Sequence, residues 1–245
     1  MNGKVIKETF KKIGRYAWEF IKGSFPAGIM YCCAGTILMM LTLNSETLHW
    51  TSKDVTWTVV CILGAAVYNA LIAWAHGGSQ YEMLVSGNIK RMSEGQLDGG
   101  YKMSSHKEVK EYRAWKGFVV GAVTALIALV FGVLFGCNQT QIDSGEAKGA
   151  CAALMLLAFL LSGWSIIPLY LMNATGASIS YFISCIFALI PIVVSGAFYI
   201  IGAYARRNKR LREQLIAEHA AQAEAEKVKK INYGGLPGTK PKKRK

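Results

Sequence analysis

Residues able to do chemistry are scarce in this sequence, and their spacing narrows what is open to it. Six cysteines fall at positions 32, 33, 61, 137, 151 and 185. None stands in a CxxC or CxxH spacing, and no HxxxH occurs, so a metal site would need ligands from distant segments. Four of the thiols lie deep in apolar runs, where cysteine behaves as a small hydrophobe. Cys137 and Cys151 bracket one hydrophilic loop and could close it with a disulfide in an oxidising space. Catalysis at bilayer depth needs a nucleophile–base pair or metal ligands. No apolar run here holds Asp, Glu, Lys or Arg, and of the four histidines only His76 borders one. His76, beside Gly77 and Gly78, reads as a helix end. The sequence therefore predicts no enzyme activity, no metal and no cofactor.

What remains are neutral donors and acceptors inside or beside the apolar runs: Tyr68, Asn69, Tyr170, Asn173, Thr175 and Tyr181. Together they could line a path for a neutral or weakly polar solute. An amide such as Asn69 in lipid more commonly bonds across to a neighbouring helix, adding about 1 kcal/mol or less. Intramembrane carboxylates, the usual mark of proton- or sodium-coupled transport, are missing from the runs. No internal repeat suggests an inverted-repeat carrier.

The elements that must position these groups follow from charge segregation. The chain has 245 residues, is 52% apolar and carries a net charge of +13. Its charges gather in blocks separated by long uncharged runs, the pattern of a membrane protein rather than a soluble one. The expected fold is all-α: a polytopic helical integral membrane protein with about five apolar segments making four to six crossings. Residues 1–24 read as a cytosolic amphipathic basic helix and 25–75 as a first transmembrane hairpin. Residues 76–116 read as a cytosolic loop with two surface helices. A second transmembrane bundle spans 117–204, with a broken helix near 173–176, and 205–245 form a cytosolic basic tail, disordered after about 231.

The most informative run is Gly117–Gly136. It has no charge, and at helical rise it is long enough to cross a hydrocarbon core of about 30 Å. Gly117, Gly121, Ala125, Ala128, Gly132 and Gly136 recur at spacings that hold them on one helix face. Small residues let backbones approach closely in lipid, so this face is expected to pack against a helix of this chain or another.

The polar segments are equally patterned. The first 22 residues alternate Lys with Ile, Phe and Trp and lack the apolar core of a signal peptide. Pro26 is expected in the first turn of the first apolar helix. In the central loop, Tyr81, Leu84, Val85, Asn88, Ile89 and Met92 suggest a half-apolar helix near Ser79–Ser93. Ser105 with Glu108 fits a capping box, predicting a helix that runs through Tyr112 into the Gly117 span. Lys11, Lys12 and Arg15 near the N-terminus, and Arg206, Arg207, Lys209, Arg210 and Arg212 after the last apolar run, are candidate contacts for anionic lipid. The basic runs lack an aromatic-lined surface, and no nucleic-acid partner is expected. The NxT triplets at Asn138 and Asn173 are too short to carry weight.

Counting cations addresses topology. Six Lys or Arg precede the first apolar run, seven lie in residues 76–116, thirteen in the tail, and one in each remaining polar loop. Five crossings would split them 13 against 15. If both ends share one side, 26 lie together and two lie opposite. Cation bias in short loops sets orientation, so both termini are expected in the cytosol of a bacterial-type plasma membrane. Residues 150–204 must then make one or three net crossings, most simply by one spanning helix and one re-entrant segment. The expected role is a non-enzymatic anchoring or assembly subunit in contact with anionic lipid and other membrane subunits, or a homo-oligomer. The alternative is a small transporter or facilitator.

Overall fold

The structure is a computed structural model that describes residues 3–43, 52–96, 110–144 and 149–233. Among these residues there is no strand. The chain divides into two compact units, Met1–Ala203 and Tyr204–Lys245. Its elements in order are α1 (Gly3–Leu43), α2 (Ser52–Gln96), α3 (Trp115–Cys137), the short α4 (Gln139–Asp143), α5 (Ala150–Ala174), a 3₁₀ turn at Tyr181–Ile183, α6 (Ser184–Phe187) and α7 (Leu189–Tyr233). Five helical stretches are long and apolar enough to cross a membrane: Thr9–Leu41, Ser52–Gly87, Trp115–Cys137, Ala150–Ala174 and Tyr181–Lys227.

Two boundaries expected from polarity are absent. The basic N-terminal segment and the first apolar run form the single helix α1, so Pro26 lies in its interior rather than in a first turn. Lacking an N–H, Pro26 leaves the Lys22 carbonyl without its usual helical donor. Likewise α2 runs unbroken through His76, Gly77 and Gly78. The expected surface helix near Ser79–Ser93 is therefore the second half of α2, and His76 lies mid-helix. A third expectation fails just before α3. Residues 111–114 are not helical, and the Tyr112 N–H instead donates to the Gln80 carbonyl of α2 at 3.0 Å. The proposed start at Ser105 lies outside the described residues, as do the end of the tail after Tyr233 and the loop at 97–109.

The Met1–Ala203 unit is organised around α3, whose 23 residues span about 34 Å at 1.5 Å per residue. Its small-residue face points inward, with Gly117, Gly121, Ala125, Ala128 and Gly132 all buried. The 3₁₀ turn, α6 and α7 return antiparallel along it. A Cβ on Gly136 would lie 2.7 Å from the Phe182 ring, one on Gly121 2.7 Å from Ile192 Cα, and one on Gly117 2.6 Å from Tyr199 Cβ. The Gly132 position faces Ser184 and Cys185 in the same way. Midway, Ala125 and Ala128 join Tyr31, Ala34, Ala65, Trp164 and Ala188 in one apolar cluster.

Helix α2 runs beside α7 in the same direction. The two backbones meet where Gly77 faces the Tyr199 carbonyl and Gly202 faces the Trp74 carbonyl; a methyl group on either glycine would overlap the facing oxygen. Contacts of this closeness between helices are the setting for Cα–H···O interactions. Phe20 of α1 meets Trp115 at the start of α3, their ring centroids 5.8 Å apart. Thus Phe20, Trp115, His76 and Tyr199 all stand at one end of the bundle, called here the Lys116 end.

Helix α5 does not run the length of the bundle. Phe159 and Tyr170 bring their ring centroids to 5.3 Å, although a straight helix would hold their Cα atoms about 16 Å apart. Phe159 and Leu160 from its first half pack on the same group, Leu38 and Met39 of α1, as Ile167 and Leu171 from its second half. The bend falls within Ser162–Pro168, where a proline and a Gly–Ser pair weaken the helical ladder. Every residue from Ser162 to Leu169 is buried, as suits an apex surrounded by other helices. There Gly163 backs onto Gly35 of α1, and a Cβ on Gly35 would sit 2.9 Å from the Gly163 nitrogen. The Ser162 and Ser165 hydroxyls bond each other at 3.1 Å.

Both ends of α5 belong to the end opposite Lys116. Its C-terminal Asn173 donates to the Ile179 carbonyl and accepts from the Ile179 N–H, each at 2.8 Å. Gln139, just past the end of α3, donates to the same carbonyl at 3.0 Å. Its N-terminal Ala150 follows Asp143 by seven residues, which reach at most about 25 Å. The break expected near 173–176 is therefore the turn closing α5, where Gly176 takes φ +94°, and the reversal lies earlier, at Ser162–Pro168. Pro191 falls in the first turn of α7, where a missing N–H is tolerated.

The Tyr204–Lys245 unit contains the remainder of α7, with exposed side chains along most of its described length. Lys209 and Glu213 approach to 3.9 Å across one helical turn.

Candidate functional site

A crevice of about 50 Å³ opens between α1, α2, α3 and α7 at the Lys116 end, room for a few water-sized groups. Helix α2 supplies Asn69, Ala73, His76 and Gln80 to its wall, and their spacings of four, three and four place them on one face. Opposite stand Glu19, Phe20 and Gly23 of α1. Lys116 and Gly117 come from α3, and Ser195 and Tyr199 from α7.

Hydrogen bonds fix most of this lining. At the deeper part Asn69, 2% exposed, accepts from the Ser195 hydroxyl at 2.8 Å. Its amide donates to the Pro191 carbonyl at 3.4 Å. Nearer the opening, the Tyr199 hydroxyl donates to Gln80 Oε1 at 2.5 Å, and its ring stacks on Tyr112 with centroids 5.2 Å apart. The ammonium of Lys116, a residue 2% exposed, donates to the Glu111 carbonyl at 2.5 Å and lies 5.7 Å from the Tyr16 ring centroid. Burying an ammonium without such partners is strongly unfavourable. Glu19 and His76 are different: among the described residues neither makes a hydrogen bond or close ion pair, and Glu19 acts on His76 and Lys116 only through longer-range electrostatics.

The six residues proposed as a polar pathway are not brought together. Asn69 belongs to the crevice, whereas its neighbour Tyr68 faces outward. Asn173 and Tyr181 lie at the other end, where Tyr181 is fully buried and its hydroxyl donates to Asp143 Oδ1 at 2.9 Å. Tyr170 packs edge-on against Phe159. Thr175 is exposed and caps its own helix by donating to the Met172 carbonyl at 2.7 Å. From Tyr181 to Ser195 the chain is mostly helical and advances about 20 Å. An apolar layer containing Tyr31, Trp164 and Ala188 occupies the interval. Of the candidate lipid contacts, Lys11, Lys12, Arg15, Arg207, Lys209 and Arg212 are exposed, and Arg206 and Arg210 half-buried. No group of three or more His, Cys, Asp or Glu that could hold a metal occurs among the described residues.

Sequence reasoning missed Glu19, His76, Gln80, Lys116, Ser195 and Tyr199 as a set. Each lies outside the apolar core of its segment or is commonplace within it. The available signal was periodicity carried across the polarity boundary, as in the 69–73–76–80 face of α2. No protein-family model, curated protein or solved structure matches the chain.

Proposed function

We propose that the chain is a multi-pass protein of a bacterial-type plasma membrane that anchors partner subunits at the cytosolic face. In this reading α1, α2, α3 and α7 cross the bilayer, and α5 enters and returns on the outer side. The start of α1 and the exit of α7 from the bundle near Ala203 then share the cytosolic side, which gathers 26 of the 28 cations there. The observation that carries the anchoring role is the continuation of α7 beyond Ala203 as a basic helix. It displays Arg207, Lys209 and Arg212 together with exposed Leu211, Leu215 and Ile216. Cations flanking an apolar stripe suit an anionic leaflet, each contributing roughly 1 kcal/mol near the surface. The small-residue face of α3 is already covered by α6 and α7 of the same chain, so contact with another subunit falls to surfaces such as this helix.

Two measurements test the proposal. With Cys137 and Cys151, which in this reading lie at the outer end, replaced by Ser, a cysteine tag at each terminus probed on intact cells with an impermeant maleimide is expected to stay unlabelled at both; one labelled terminus overturns the topology. Replacing Arg206, Arg207, Lys209, Arg210 and Arg212 by Gln is expected to abolish co-purification of partner subunits while leaving the melting temperature unchanged. A solitary monomer that moves solute in liposomes would favour the second reading, facilitated passage of a small polar molecule, which the crevice supports.

A further inference from the structure

Among the described residues Glu19 is the only carboxylate lining the crevice; it makes no hydrogen bond or close ion pair there and shares the space electrostatically with His76 and Lys116. We infer that the crevice binds a small protonated amine, on the scale of ammonium or methylammonium, with its N–H groups directed at Glu19. Three features select that class. The positive charge in the wall is already committed, since the Lys116 ammonium is held by the Glu111 carbonyl and lies against the Tyr16 ring. An anion would therefore have to compete for it in the presence of Glu19. The Tyr199 oxygen is already bonded by the Arg113 backbone, so the remaining acceptors are the His76 imidazole and Gln80 Oε1 of α2, facing Glu19 of α1. Several separated acceptors suit a donor whose N–H bonds diverge, and the Phe20 ring, which also lines the crevice, adds favourable contact for a cation.

Size narrows the class further. About 50 Å³ holds a few water-sized groups, which suits a cation of the size of methylammonium. An alkali or divalent metal ion fits less well. Calcium and magnesium take six or more oxygens, whereas this wall sets its carboxylate, amide and hydroxyl oxygens beside an imidazole and an ammonium.

Isothermal titration of the purified full-length chain in detergent tests the inference, using methylammonium chloride, sodium chloride and tetramethylammonium chloride at matched ionic strength. Saturable binding of methylammonium alone is expected. Glu19→Gln is expected to weaken it at least tenfold, and Glu19→Asp to retain part of it. Gly23→Ala provides a second test that leaves every polar group in place. Its new methyl would lie 3.3 Å from Val120 Cγ2 and 3.9 Å from His76 Nδ1, narrowing the crevice, and should weaken binding several-fold without changing the melting temperature. If Glu19→Gln fails to fold, Gly23→Ala decides. Absence of saturable binding, equal binding of sodium or tetramethylammonium, or undiminished affinity in the folded variants would overturn the inference.

Discussion

The two ends of the bundle use polar residues in opposite ways. At the Asn173 end the polar groups of Asn173, Gln139 and Tyr181 hold chain to chain. Asn173 clamps both backbone groups of Ile179, Gln139 shares that carbonyl, and Tyr181 is tied to Asp143. At the Lys116 end a comparable number of polar side chains surrounds open space, and two of them, Glu19 and His76, face each other electrostatically without a hydrogen bond among the described residues. A closed network stabilises a turn; an incompletely satisfied one around a crevice is available to a ligand. The difference teaches that polarity at a helix end is not by itself a sign of function, because satisfaction of the groups separates the two cases.

The comparison breaks most severely where the Lys116 end depends on close backbone approach. Gly77→Val should push α7 off α2 and cost about 3 kcal/mol or more, read as loss of the folded species in detergent-based thermal melting. Gly64, whose added Cβ would meet nothing within 4 Å, is the matched control, and Gly64→Ala should not destabilise. At the other end, Asn173→Leu removes two bonds to Ile179 and should cost about 1–3 kcal/mol. Thr175→Val, at an exposed site nearby, should change stability by less than about 0.5 kcal/mol. If the two changes prove equal, the Asn173 network is not the clamp described. Asn69→Leu should cost about 1 kcal/mol or less in melting. Tyr181→Phe, which leaves the ring packed against Phe135 and removes the hydroxyl's bonds to Asp143 and Asn173, should cost about 1 kcal/mol.

How much of this was legible in the sequence can be argued residue by residue. Helical class and the five apolar stretches follow from run length and the absence of charge, quantities that need no tertiary information. The register of Gly117, Gly121, Ala125, Ala128 and Gly132 was readable because small residues repeat at helical spacing along one run. Two things were not legible. Polarity marks where lipid ends, while a backbone helix ends only where its hydrogen-bond ladder ends. Lys22 and His76 were therefore read as boundaries, although α1 and α2 pass straight through them. The reversal in α5 was assigned to NATGA, since Asn and Gly are strong turn residues. The bend instead sits in SGWSIIP, where the proline and the Gly–Ser pair act within a helix that neighbouring helices enclose on every side. Glu19 and Lys116 escaped notice for a related reason: each was assigned to a solvated segment, and only the joining of those segments to apolar helices brings them to one crevice.

The reversal of α5 has a mechanical corollary. A segment moored twice on one side can rise or sink at its tip without pulling any loop through the opposite face. Here that tip is pinned: Gly163 lies against Gly35 and Trp164 against Tyr31, their ring centroids 4.7 Å apart, so the hairpin acts as a stopper wedged among the longer helices.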